Sequence, residues 1–354
     1  MAGAERSAGG TGCAERTGRT ERAGPTERTG WTERAGWTEG AAGAAGGPRA
    51  AEVTTTGHVR ARVGQRNVLV PLGSRRAALA GVALLTRSRA PALACQWLLY
   101  GAVAAAGPRA VPGARVRWDP PGGRARWEEL AAQLGPFDHL ALYERPQRSR
   151  TGLAAVLLRA GRPTGFLKLR EDAGALEREH RALSAFPDGR AAGFRVPRVL
   201  GRGGAAGWHW MLIEPMPSRP AHPPRRPGVA SLVGAIQRRL APALPRPPGV
   251  PPHWRPMHGD LTVWNLRRCG TGRPWLIDWE DAGWAPPGAD RLYYEATRSV
   301  VFGTAPPATA PREAAEFWLG RVAPRPSTDG DAPFNAALSA VLRDLARDGR
   351  RPAP

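Results

Sequence analysis

The sequence predicts an α+β fold in two lobes, a small antiparallel-sheet N-lobe followed by a mainly helical C-lobe, behind a disordered N-terminal tail. Three observations lead there. Apolar runs of strand length cluster between His139 and Ile213, with one helix-like segment among them. Helical periodicity and loop-forming text dominate beyond Val229. Residues 1 to 57 instead carry a low-complexity repeat of Thr, Glu, Arg and Gly.

The repeat has a period of six, as in Thr20-Glu21-Arg22-Ala23-Gly24 and Thr26-Glu27-Arg28-Thr29-Gly30. It holds too little apolar surface to offset its ordering entropy, and the period is too short for a solenoid unit. Residues 58–125 form an extension of open role. Val68–Leu72 reads as a strand and Ala92–Ala106 as a helix. The most apolar text breaks at Arg87-Ser88-Arg89-Ala90-Pro91 into Ala77–Thr86 and Ala92–Gly107. Neither piece is expected to reach the roughly 18 to 20 residues of a bilayer span. No membrane span is therefore expected, and at most a soluble protein that rests on a surface.

The N-lobe is expected over 126–217. Trp127–Leu134 reads as a helix stopped by Gly135-Pro136. His139–Arg145, Leu153–Ala160 and Thr164–Arg170 read as strands, linked by Pro146–Gly152 and by the tight turn Gly161-Arg162-Pro163. A helix over Ala173–Ala185 and strands near Arg195–Leu200 and Trp208–Ile213 complete it. The C-lobe, 218–354, opens on a helix over Val229–Leu240 with Leu232, Ile236 and Leu240 on one face. Trp275–Ile277 reads as a short strand.

The chain has 354 residues, 51 Lys+Arg and a net charge of +21, yet only one lysine, Lys168. Arg, Ala, Gly and Pro are favoured throughout, as in a G+C-rich coding bias, and a lysine surviving it marks a site where a guanidinium will not serve. Lys168 lies on the predicted strand Gly165–Arg170, where a compact ammonium could hold phosphates. Taken alone, that reading and mere escape from the bias weigh about equally. The arginines are scattered and do not alternate with aromatics, which argues against nucleic acid as a partner. Cys13, Cys95 and Cys269 are far apart and lack metal-ligand spacing, so a reducing cytoplasm is expected. Met1–Arg6 has no apolar signal-peptide segment.

Chemistry concentrates in His258-Gly259-Asp260-Leu261-Thr262-Val263-Trp264-Asn265, followed by Trp275-Leu276-Ile277-Asp278-Trp279-Glu280. The Asp-to-Asn interval brings a carboxylate to an acceptor hydroxyl. It then returns an amide oxygen, and with Asp278 a second carboxylate, to a metal on a triphosphate. A Gly-Asp turn and an unrelated strand end would explain either fragment alone, but not both in order after Lys168. HGDLTVWNL with LIDWEDAGWAPPGADRLYY resembles the aminoglycoside phosphotransferase and choline kinase family over roughly residues 137 to 300. That resemblance implies a protein-kinase-like fold that uses ATP and Mg2+. It implies Asp260 as catalytic aspartate, Asn265 and Asp278 as magnesium ligands, and Asp290 as a brace for the catalytic loop. His258 is expected to be structural.

Lys168 should then pair with a glutamate of the following helix. Leu176 and Leu183 define its buried face; Glu179 lies about 50° from their direction and Glu177 about 110°. Glu179 is the expected partner. Met211–Pro217 resembles a hinge, where backbone groups read an adenine edge; Glu214 and Met216 are placed there by position, and Met216 equally suits ordinary packing. Two features depart from the family. The Pro146–Gly152 link lacks its glycine-rich pattern, leaving Ser149, Thr151 and backbone amides to cap phosphates. The interval from Ser218 to Gly259 is shorter than in antibiotic-modifying members, and from Ser218 to Pro256 its charged residues are all arginine. A basic interval suits a neutral or anionic acceptor. The expected function is transfer of the ATP γ-phosphoryl group to a hydroxyl of a small molecule, a sugar or glycan precursor. The alternative is a catalytically silent pseudokinase that binds or scaffolds; RNA binding through the arginines is a third.

Overall fold

The computed structural model describes residues 57–63, 66–144, 152–326 and 331–348. The expected disordered tail, apart from Gly57, lies outside them, as does the Pro146–Gly152 link apart from Gly152. In the first strands, β1 (His58–Val63) pairs antiparallel with β2 (Arg66–Pro71), setting Val59 opposite Val70 and Ala61 opposite Val68, all buried. Ser74 starts α1 (Arg75–Ala83) by accepting the Ala77 N–H at 3.1 Å. α2 (Ala90–Ala106) follows, tied back by Gln96, which donates to the Val82 carbonyl at 2.9 Å.

α2 corrects one expectation. A 3-10 turn, Gly107–Ala110, continues the helix, and Ala90–Ala110 is by length and composition long and apolar enough to cross a membrane. Pro91 sits in the first turn, where its missing N–H costs nothing, so it starts the helix and does not break it.

β3 (Ala114–Val116) returns to β1, and α3 (Arg124–Gln133) buries Trp127, Leu130 and Ala131. β4 (His139–Glu144), β5 (Leu153–Arg159) and β6 (Arg162–Arg170) form an antiparallel meander. α4 (Gly174–Ser184) turns Leu176, Glu179, Ala182 and Leu183 inward. The single strand expected near Arg195–Leu200 is split, because Pro197 has no N–H for a ladder. Before the split, β7 (Arg190–Ala191) pairs with β8 (Phe194–Arg195); after it, β9 (Val199–Ala205) pairs with β10 (Trp208–Ile213). The main sheet runs β3-β1-β2-β4-β5-β6-β10-β9, antiparallel throughout. Three of its eight strands come from residues 58–125, so no structural boundary separates the extension from the N-lobe at 125/126.

The C-lobe begins with α5 (Val229–Leu240), whose Leu232, Ile236 and Leu240 pack with Leu261, Val263 and Trp279. Short strands β11 (Arg255–Met257), β12 (Leu266–Arg267), β13 (Trp275–Leu276) and β14 (Gly283–Ala285) frame the motif loops, and β13 lies parallel to β8. α6 (Ala289–Phe302), α7 (Arg312–Val322) and α8 (Ala332–Asp348) enclose a second core, in which Tyr293 stacks on Trp318 at 3.8 Å. The chain is thus two-lobed, sheet-rich and then helical.

Candidate active site

The β5–β6 register sets Ala154 opposite Lys168 and Val156 opposite Phe166, so these four side chains share the cleft face of the sheet. Lys168 is only 3% exposed. Its ammonium donates to Glu179 Oε1 and Oε2 at 2.8 and 2.6 Å and to Asp278 Oδ1 at 2.7 Å. Burial acts to lower the Lys168 pKa, but Asp278, Glu179 and Glu280 outweigh it and hold it above the ordinary value. The lysine is charged at neutral pH. Arg170 extends the network to Glu280 at 3.0 Å.

Glu179 is fully buried beside the lysine, while Glu177 is exposed. Glu177→Gln is expected to change stability and any turnover by no more than about 0.5 kcal/mol. Glu179→Gln should cut turnover by ~10-fold or more, because Lys168 loses half its anchor. Parallel melting curves and transfer rates would check the pair; equal effects would remove the distinction.

The loop His258–Asn265 rests on Asp290, whose Oδ2 and Oδ1 accept the His258 and Gly259 amides at 2.7 and 3.2 Å. Gly259 has φ +85°, and a Cβ there would collide with the Asp281 carbonyl. His258 is buried against Trp279 and accepts the Asp260 amide on Nδ1 at 3.1 Å. Asn265 donates Nδ2 to Asp260 Oδ2 at 2.7 Å and to its carbonyl at 2.9 Å, fixing the carboxylate. Asp278, at φ +68°, carries backbone strain that turns its side chain into the cleft.

Two buried groups of this loop give opposite pH dependences. Burial lowers His258 from 6.5 to about 3, so its stabilisation is present above 6.5 and is lost as pH falls toward 3. Burial raises Asp290 from 3.8 to about 6, against the two amide hydrogen bonds. Its contribution is complete below 3.8 and is lost as pH rises through 6. The two contributions cancel between about pH 6 and 3.8, so the net acid lability expected lies between pH 6.5 and about 6 and again below 3.8. Thermal melts should show a midpoint that falls from pH 7 to 6 and levels between 6 and 5, and His258→Asn, which leaves Asp290 alone, should make it rise from 6 to 5. An unchanged slope in the variant would exclude His258 as its source.

A cavity of ≈ 1130 Å³ lies between the lobes, lined by Lys168, Asp260, Asn265 and Asp278. Val156, Phe166, Ile213 and Ile277 also line it and give it apolar walls suited to a flat base. Glu214 and Met216 line it at the hinge. The Glu214 amide donates to the Arg198 carbonyl at 2.8 Å, and its carboxylate pairs with Arg195 and Arg198, each at 3.2 Å. Of its backbone groups, the amide expected to read an adenine edge is thus already bonded. The extension also reaches this cavity, through Ala80, Leu84 and the 86–89 loop. That loop is fastened to the C-lobe. Buried Arg267 donates to the Arg87 carbonyl at 2.6 Å, to Ser88 Oγ at 3.3 Å and to the Ala221 carbonyl; Arg89 donates to the Val301 carbonyl at 2.6 Å.

Residues 229–294, from α5 into α6, match the model of the phosphotransferase enzyme family. The likeness spans under a fifth of the chain. A search of curated proteins found no significant sequence relative. Three similar solved structures illustrate the range. A thermostable mutant of aminoglycoside phosphotransferase APH(4)-Ia is 14% identical, covering 63% of this chain and 99% of its own, with a TM-score of 0.41. A putative fructosamine-3-kinase from Haemophilus somnus 129PT is 10% identical, covering 62% and 97%, with a TM-score of 0.38. Amicoumacin kinase hAmiN is 10% identical, covering 57% and 71%, with a TM-score of 0.33.

Glu179, Asp278 and Glu280 bring carboxylate oxygens within 4.8 Å of one another. Lys168 and Arg170 already lie on this group, which makes it an ion-pair knot more than a metal cage. Only Asp278 among the three is appreciably open to the cleft, at 30% side-chain exposure. Asp278 and Asn265 line the cavity with oxygen donors of the kind a divalent ion takes, whereas Glu179 and Glu280 are taken up by Lys168 and Arg170. The far wall is formed by Trp264, Asp281, Tyr293, Arg325, Asp331 and Phe334, to none of which the sequence assigned a role. Of the arginines between Ser218 and Pro256, only Arg219 lines the cavity, so their charge does not set the acceptor wall as expected. The interval leads into α5, which turns its apolar face to the core and its arginines outward.

Proposed function

We propose that this domain transfers the γ-phosphoryl group of ATP to a hydroxyl of a small neutral molecule, a sugar or glycan precursor. The observation that carries the reading is one cavity lined by Lys168, Asp260, Asn265 and Asp278, with the lysine already paired to Glu179. Asp260 orients the acceptor hydroxyl and takes its proton as the oxygen bonds to phosphorus and ADP leaves. Lys168 would hold phosphate oxygens once they replace Asp278 at its ammonium, and its glutamate keeps the ammonium in place. Magnesium, when bound, would neutralise the triphosphate, and Asn265 and Asp278 would hold it.

The far wall supports a neutral acceptor. Trp264 and Phe334, in edge contact at 5.3 Å, offer an apolar flank for the C–H face of a sugar. Asp281 and Asp331 can accept from hydroxyls, while Arg325 on the same wall and Arg321, which Asp281 attracts, offset their charge. Cys95 and Cys269 are free thiols, which supports a reducing cytoplasmic setting.

The test is a panel of neutral sugars, amino sugars and other polyols, scored for transfer of labelled γ-phosphate. Transfer confined to neutral sugars is expected. Transfer to amino sugars alone would overturn the acceptor assignment. Magnesium-dependent ATP binding with no transfer across the panel would favour the pseudokinase reading, which the assembled Lys, Asp, Asn and Asp set argues against.

A further inference from the structure

A surface helix of a water-soluble protein presents polar side chains outward. α2 does the opposite. Its inward stripe is formed by Leu93, Gln96, Tyr100 and Val103, with Gln96 bonded to α1 and the Tyr100 hydroxyl donating to the Ser218 carbonyl at 2.7 Å. Its outward face carries Ala94, Trp97, Leu98, Gly101, Ala102 and Ala105, all exposed and none charged. Trp97 is 47% and Leu98 74% exposed, two of only four large apolar residues open to solvent among the described residues. Across Ala90–Ala110 just 17% of the most apolar window is buried.

The sequence flanking α2 is cationic. Between Glu52 and Asp119 the sequence holds ten arginines and no acidic residue. Arg89 precedes the helix and Arg109 follows it, both exposed. A second copy on this face would bring two strongly positive surfaces together, and an acid-free apolar face has no polar group to register a protein partner. An anionic lipid bilayer meets both features, with acyl chains for Trp97 and Leu98 and headgroup phosphates for the flanking arginines.

We propose that α2 is a peripheral membrane-docking helix for anionic lipid surfaces. It lies in the interface and does not span, because its inner stripe is bonded to α1 and to the segment after the hinge. Docking would bring the hinge side of the cleft close to the headgroups. This assignment is independent of the phosphotransfer reading.

The test is flotation of the full chain with phosphatidylcholine vesicles, with and without phosphatidylglycerol. At least ~10-fold greater partitioning is expected onto the phosphatidylglycerol vesicles, weakened by added salt. Leu98→Glu and Trp97→Glu should each reduce it by ~10-fold or more with unchanged melting temperature. Arg109→Glu, which leaves the apolar face intact, should weaken binding only where phosphatidylglycerol is present. No partitioning, or partitioning that Leu98→Glu leaves untouched, would overturn the proposal. So would a dimer in solution that Leu98→Glu disperses while the wild-type chain ignores both vesicles.

Discussion

Asp260→Asn is expected to lower phosphoryl transfer by ~10³-fold or more, about 4 kcal/mol, while ATP affinity changes less than twofold. The carboxylate accepts from Asn265 at 2.7 Å and owes its place to the His258 and Asn265 contacts. An asparagine keeps one oxygen for Asn265 and preserves the loop, but it cannot take the acceptor proton. Titration calorimetry with ATP beside a labelled-transfer assay separates the two quantities. An equal loss in both would place Asp260 in nucleotide binding.

Lys168→Arg is expected to cost at least ~100-fold in turnover, about 2.7 kcal/mol of transition-state stabilisation. Cleft position alone would suggest little effect on folding. The structure argues otherwise, since the ammonium makes three bonds of 2.6 to 2.8 Å within a site 3% exposed. A guanidinium is longer and planar, so it must displace Glu179 or Asp278, and about 1–3 kcal/mol of stability should go with it. Lys168→Ala leaves both carboxylates without their cation and should cost about 3–5 kcal/mol. Urea denaturation would resolve the series. An arginine variant with full activity and an unshifted midpoint would make the lone lysine an accident of composition.

The parts of the site legible in the sequence were those fixed by short-range geometry. Helix periodicity separates Glu179 from Glu177, because a seven-residue leucine pair defines a face without tertiary information. Ile277-Asp278 and the Asp260–Asn265 interval could be read because a few chain atoms dictate where those side chains point. The far wall was not legible. Tyr293 is carried by α6, Arg325 follows α7 and Asp331 precedes α8; only the packing of those helices brings them together. The extension was opaque for a related reason. Val68–Leu72 reads as a strand, but nothing in it says that β2 will sit beside β4 and continue the lobe's sheet.

The fastening of the 86–89 loop to Arg267 and Val301 has a consequence in time. A lobe joined to its partner only through a hinge peptide swings about one pivot and opens as fast as that pivot allows. Here a second strap crosses from the N-lobe to the C-lobe, held by Arg267 at the Arg87 carbonyl and Ser88 Oγ and by Arg89 at the Val301 carbonyl. Wide opening then requires those bonds to break together. Spent nucleotide would leave on the clock of the strap, and an acceptor arriving early would find the cleft already assembled. The slow interval of each cycle would be the wait for the product to escape.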